Sequence, residues 1–120
     1  MSHVPLQFLA TVFILVAGCG RREETAAEAS LQRELGKAYF EEGRFQSAAR
    51  AFQSVLVGSK ATAQDLVNAA ACEVAQADGD LDRAKELLHR AATLDPGQPA
   101  VPYLSGIIAQ RREAWSDALL

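Results

Sequence analysis

Residues 41–52 read EEGRFQSAARAF and residues 77–88 read ADGDLDRAKELL, and the two stretches share one pattern. Their alignment pairs Gly43 with Gly79 and Ala48 with Ala84, 36 residues apart in each case. Three apolar pairs follow the same shift: Phe45 with Leu81, Phe52 with Leu88, and Val55 with Ala91. Self-similarity at such a period indicates stacked repeats of one supersecondary unit.

The first copy predicts two helices joined at Gly43. Thr25 and Glu28 have the spacing of a capping box, so the first helix is expected from Ala26 to Glu41. Gly43 ends it, because a left-handed residue after a helix is favourable mainly for glycine. The second helix is expected over residues 45–57. The predicted inward residues of this second helix are Phe45, Ala48, Ala49, Phe52, Val55 and Leu56.

The second copy predicts the same arrangement. Thr62 with Asp65 caps a helix that runs to about Ala77, and Asp80 caps another that runs to about Leu94. Pro96 then disfavours helical geometry at the residue before it. The sequence therefore predicts a second helical hairpin.

A third copy is incomplete. At a shift of 34, Leu81 pairs with Trp115 and Ala84 with Ala118, while Glu113 occupies the glycine position. A helix is predicted near residues 100–112, with Pro99 and Pro102 tolerable only at its first turn. A second helix would need roughly ten residues beyond Ala118. We therefore expect the N-terminal part of a longer protein or a truncated reading frame.

These positions resemble the tetratricopeptide repeat, whose signature is W-x2-L-G-x2-Y, then A-x3-F, then P. The first unit carries Leu35-Gly36-x2-Tyr39 and Ala48-x3-Phe52, with Gln32 and Lys60 in place of Trp and Pro. The second unit carries Ala84-x3-Leu88 and Pro96, with Cys72 at the glycine of L-G. The third unit has Gly106 at that glycine and then Ala118.

The resemblance implies an all-α protein whose helical hairpins stack as a short right-handed solenoid. Its repeats would occupy residues 29–62, 63–98 and, incompletely, 99–120. In this family the first helix of each repeat lines a concave face that holds a protein or peptide. Carried onto this chain, that face comprises Arg33, Lys37, Phe40, Glu41, Leu66, Glu73, Gln76, Tyr103, Ile107, Gln110 and Arg111. The alternative for each residue is an ordinary solvated helix surface.

The N-terminal segment differs from the rest of the chain. Residues 8–17 read FLATVFILVA, which is shorter than the roughly 20 apolar residues of a membrane-spanning helix and fits a secretory signal. Residues 16–19 read VAGC and resemble the lipobox of bacterial lipoproteins. The resemblance implies a signal peptide over 1–18, lipidation of Cys19 and a polar tether over 19–28. The alternatives are an ordinary signal peptide or an apolar core segment with a chance cysteine, because residues 1–7 carry no Lys or Arg.

The lipobox also implies a location. Gly20, rather than Asp, follows Cys19, and this pattern is typical of lipoproteins sent to the outer membrane. We therefore expect a protein that is exported across the inner membrane and anchored on the periplasmic side.

Composition argues against several functions. The net charge is −3 and the sequence has no cluster of basic residues, so nucleic-acid binding is not predicted. His89 has no second histidine in the mature chain, and Cys72 is expected to be a buried small residue. Asp78, Asp80 and Asp82 lack the remaining ligands of a calcium loop. No catalytic residue, metal, cofactor or small-molecule substrate is predicted.

Three functions fit this sequence. The first is an envelope lipoprotein that acts as a protein–protein interaction scaffold. The second is an N-terminal helical region of a larger extracytoplasmic protein whose activity lies after residue 120. The third is a structural spacer.

Overall fold

The computed structural model of the chain describes residues 25–58 and 60–118. Within them the chain forms helices and no strand, so the predicted all-α class is confirmed. The helices are α1 (Ala26–Glu41), α2 (Phe45–Val57), α3 (Ala63–Ala75), α4 (Leu81–Leu94) and α5 (Ala100–Ala118). Cys19 and the predicted signal segment lie outside the described residues. None of these five helices is long and apolar enough to cross a membrane.

The predicted helix starts are confirmed by their caps. The Glu28 amide donates to Thr25 Oγ1 at 3.1 Å, and the Glu28 carboxylate accepts from the Thr25 amide. Thr62 and Asp65 form the same reciprocal pair at α3. At the start of α4, the Asp80 carboxylate accepts a hydrogen bond from the Arg83 amide at 3.0 Å. Each cap satisfies amides that the first helical turn leaves without partners.

Each helix packs against the next one along the chain, and α3 also contacts α5. The repeated alanines, Ala48 and Ala84, are fully buried, and Phe52 and Leu88 lie one turn further along in the same core. Small side chains at these positions allow neighbouring helix axes to approach closely. Ala51 is also buried, although the predicted inward face of α2 did not include it.

The structure of the third repeat differs from the prediction. A helix was expected over residues 100–112, followed by a turn and a new helix near Trp115. Instead α5 is one continuous helix to Ala118. Glu113 stands where the other copies have Gly43 and Gly79, and glutamate is a good helix former, so the helix does not stop there.

The second hairpin has a longer turn than the first. Three residues separate α1 from α2, whereas five separate α3 from α4, because α3 ends at Ala75 rather than near Ala77. The second helices of the two hairpins start 36 residues apart, and the first helices end 34 apart. Ala70 is therefore the counterpart of Gly36, and both are buried. Cys72, which the motif alignment placed there, lies two residues further on.

Candidate partner-binding groove

An open groove lies between the first helices of the two hairpins, and we call it the α1–α3 groove. It has a volume of about 160 Å³. Lys37, Phe40 and Glu41 contribute from α1, and Asn68 and Ala71 from α3, with Phe52 of α2 reaching the groove from below. The groove therefore has an apolar base and polar or charged groups along both edges.

Gly36 makes room for the aromatic base of the groove. Phe52 is only 2% exposed and belongs to the core. A Cβ built on Gly36 would lie 2.6 Å from Cζ of Phe52, which is closer than two carbon atoms can pack. The missing side chain thus lets the Phe52 ring pass beneath α1.

The Phe40 ring is held in a defined orientation at the edge of the groove. It packs edge-to-face on Phe45, with ring centroids 5.1 Å apart and an interplanar angle of 67°. This is a favoured aromatic geometry. Because Phe40 is 36% exposed, it offers a positioned apolar surface to a ligand.

Two charged residues, Lys37 and Glu41, line this edge. Nζ of Lys37 lies 3.1 Å from the Glu34 carboxylate, and both side chains are exposed. The Glu41 carboxylate makes no ion pair or side-chain hydrogen bond with another described residue, although Glu42 pairs with Arg44 at 3.7 Å. The last turn of α1 carries no basic residue. Glu41 therefore adds its charge to the negative end of the helix dipole.

The opposite edge carries an amide. Gln64 donates to Oδ1 of Asn68 at 2.9 Å and accepts from Gln98 at 3.1 Å. These bonds orient the Asn68 amide, whose nitrogen has no partner among the described residues. Asn68 can therefore donate to a carbonyl in the groove.

Of the residues predicted for the first unit, the structure brings together Lys37, Phe40 and Glu41. Arg33 has a different environment. Its guanidinium donates to both carboxylate oxygens of Asp65, each at 2.8 Å, and so links α1 to α3. Bidentate pairs of this kind are among the strongest side-chain interactions.

Asp65 is 2% exposed, so water is largely excluded from the Asp65 side of this ion pair. Burial alone raises its pKa, but the hydrogen bonds from Arg33 and Thr62 act in the opposite direction and leave the pKa below its ordinary value. Asp65 therefore remains ionised, and it both completes the capping box of Thr62 and pairs with Arg33.

The residues predicted for the second unit do not lie on the α1–α3 groove. Leu66 is 1% exposed and belongs to the core. Glu73 lines a separate groove with α2 and α4 side chains, and its carboxylate accepts from the Asp80 amide at 2.9 Å. Gln76 lies past the end of α3, where its side chain donates to the Cys72 carbonyl at 3.0 Å.

The two-residue difference in turn length accounts for the position of Glu73. A shift of 36 carries Lys37 onto Glu73. Measured from the ends of the first helices, Glu41 and Ala75, the shift is 34 and carries Lys37 onto Ala71. Ala71 does line the groove, as does Asn68. Neither residue was predicted for the concave face.

The residues predicted for the third unit lie on α5, apart from the α1–α3 groove. Tyr103 is 69% exposed and Gln110 is also exposed, whereas Ile107 is half-buried against the core. Arg111 donates to the carbonyls of three residues that follow or end α3, at 2.7–3.2 Å: Val74, Gln76 and Ala77. Its guanidinium also lies over the Trp115 ring. Arg111 thus holds α5 against the α3–α4 turn.

The described residues contain no cluster of three or more His, Cys, Asp and Glu side chains that could hold a metal ion. His89 is exposed on α4. Cys72 is fully buried, and burial together with the charge of Glu73 raises the pKa of its thiol to about 12. The α1–α3 groove is suited instead to non-covalent binding, because it combines an apolar base with fixed polar edges.

The chain matches no protein-family model, and comparisons with curated proteins and with solved structures give no match. The tetratricopeptide and lipoprotein assignments remain predictions from sequence motifs.

Proposed function

We propose that this chain is a tetratricopeptide-like helical repeat lipoprotein that binds a protein partner in the cell envelope. The α1–α3 groove is the binding site, and Cys19 carries the lipid that holds the protein on the periplasmic side, at the outer membrane. The activity is binding, without catalysis.

The observation that carries the proposal is the composition of the α1–α3 groove. Exposed Phe40 lies beside an apolar base, and Asn68 faces it with an unused amide donor. An extended chain segment presents both apolar side chains and backbone carbonyls, so these groups match it. The repeat pattern of the two hairpins supports the same function, since the resemblance places a partner on the first helices.

A site-specific crosslinking experiment tests the groove. A photoreactive amino acid in place of Lys37, which lines the groove, is expected to give a discrete adduct in intact cells, whereas one in place of Glu86, exposed on α4, gives none. Ala71→Leu fills the groove and should abolish the adduct at position 37. Ala109→Leu adds the same side chain on the exposed surface of α5 and should leave it unchanged. Equal adducts at both positions, or an adduct that survives Ala71→Leu, would contradict the assigned site.

The anchor is tested separately. Cells fed a radioactive fatty acid should label the protein, and Cys19→Ala should remove the label. Label that persists in Cys19→Ala would show the lipobox interpretation to be wrong. Separation of inner and outer membranes then tests the predicted location.

A further inference from the structure

We propose that the α1–α3 groove selects a partner segment that carries a Lys or Arg next to an apolar residue. This inference rests on the proposed function and adds the chemical class of the ligand. The size of the groove, its charge and its aromatic edge lead to it.

The size favours one side chain. Pockets for drug-sized ligands have volumes of roughly 300–1,000 Å³. The α1–α3 groove has about 160 Å³ and is open to solvent, so it accommodates a single long side chain rather than a whole small molecule. Ala71 and Phe52 provide an apolar base for the methylene stem of such a side chain.

The charge favours a cation. Glu41 lines the groove, has no described partner and lies in the last turn of α1, where the backbone carbonyls carry partial negative charge. A positive group beside Glu41 would interact with both. An acidic side chain would be repelled by the same two groups.

Lys37 lines the same groove but does not reverse its preference. Its ammonium is paired with Glu34 on the preceding turn of α1, so these two charges largely balance each other. The Glu41 charge is left without such compensation.

The aromatic edge favours the same ligand. Phe40 is exposed and its ring is held by Phe45. A Lys or Arg head group is attracted to an aromatic face, and an adjacent apolar side chain can pack on the same ring. The groove thus matches both parts of a basic–apolar pair.

The test is a selection from a random-sequence peptide display library on the immobilised protein. Ala71→Leu identifies groove-dependent sequences, and Ala109→Leu is its matched control. Glu41→Gln removes the groove charge, and Glu86→Gln removes an exposed charge on α4. Glu41→Gln is not expected to unfold the protein, since a negative charge at a helix C-terminus is unfavourable.

We expect groove-dependent peptides to be enriched in Lys or Arg beside an apolar residue. This bias should disappear with Glu41→Gln and persist with Glu86→Gln. In titrations of one selected peptide, Glu41→Gln should weaken binding roughly threefold and reduce its salt dependence. Groove-dependent peptides without a basic bias, or with an acidic one, would overturn this inference and leave the proposed function standing. If no peptide is enriched on the unsubstituted protein over Ala71→Leu, both this inference and the proposed function are wrong.

Discussion

Gly43 and Gly79 occupy matching places in the two hairpins, yet the backbone needs them for different reasons. Gly43 has a φ of +75°, and a Cβ there would meet nothing within 4 Å. Gly79 has no positive φ, but its Cβ would lie 1.7 Å from the Glu73 carbonyl oxygen. Conformation requires the first glycine, whereas the close approach of the α3–α4 turn requires the second.

The two glycines should therefore respond differently to alanine. Gly43→Ala is expected to lower the free energy of unfolding by about 1 kcal/mol, the cost of a left-handed residue with a Cβ. Gly79→Ala should cost about 3 kcal/mol, because the turn must move to relieve the overlap. Urea unfolding followed by circular dichroism measures both. Gly43→Asn should cost less than Gly43→Ala, and equal losses at positions 43 and 79 would contradict this account.

Asp65 and Arg33 connect the two hairpins at the level of single side chains. The folded protein binds a proton at Asp65 less tightly than the unfolded chain does, because the pKa is lowered on folding. Stability from this pair is therefore complete above the unfolded pKa of about 4 and is lost as the pH falls through the folded value.

Asp65→Asn is expected to lower the free energy of unfolding by about 2 kcal/mol at neutral pH, since a charged hydrogen-bonded pair is broken. The difference from the unsubstituted protein should shrink as the pH falls below about 4. Urea unfolding across this pH range measures it. Glu34→Gln, which breaks the exposed pair with Lys37, serves as a control that should change stability by no more than about 0.5 kcal/mol. A loss at Asp65 that is constant with pH would exclude the ionised pair as its cause.

At the scale of the helices, Gly36 and Gly106 hold the same place in the repeat signature and differ in their surroundings. Gly36 lies against Phe52, whereas Gly106 is exposed within α5 and a Cβ there would meet nothing within 4 Å. The signature alone predicts a packing role for both. Only Gly36 has one in the structure.

Alanine at these two positions should have opposite effects. Gly106→Ala should raise the free energy of unfolding by about 1 kcal/mol, because glycine in an exposed helix interior is less favourable than alanine. Gly36→Ala should lower it by about 2 kcal/mol, since the new methyl group displaces Phe52. Thermal unfolding of both variants provides the comparison. Destabilisation by Gly106→Ala would indicate a contact that α5 does not have here.

At the scale of the whole molecule, the core runs through both hairpins and reaches α5. Cys72 of α3 is fully buried within it, and its high pKa leaves almost no reactive thiolate at neutral pH. α3 packs against α2, α4 and α5, so exposure of this thiol requires the helices to separate.

Alkylation of Cys72 should therefore report global unfolding. In the Cys19→Ala variant, which leaves Cys72 as the single thiol, iodoacetamide is expected to react slowly in buffer and rapidly in urea. The free energy derived from the urea dependence of alkylation should equal that from circular dichroism. Mass spectrometry measures the modification. Rapid alkylation of the native protein would show that α3 opens locally.

The sequence by itself determined the helical class and most helix boundaries. Thr25, Thr62 and Asp80 cap the helices that follow them, and Gly43 ends α1, because these signals act within a few residues of the chain. The inward alanines follow from helical periodicity for the same reason. Even the continuity of α5 had a local signal, in Glu113 at the glycine position.

The tertiary structure alone decided which side chains meet in the α1–α3 groove. The α3–α4 turn is two residues longer than the first turn, and α3 contributes Asn68 and Ala71 to the groove in place of the predicted Glu73. Arg33 and Arg111 were expected on an open surface and instead bind groups 32–37 residues away. Such contacts depend on how the helices pack against one another, and helix periodicity carries no information about that packing.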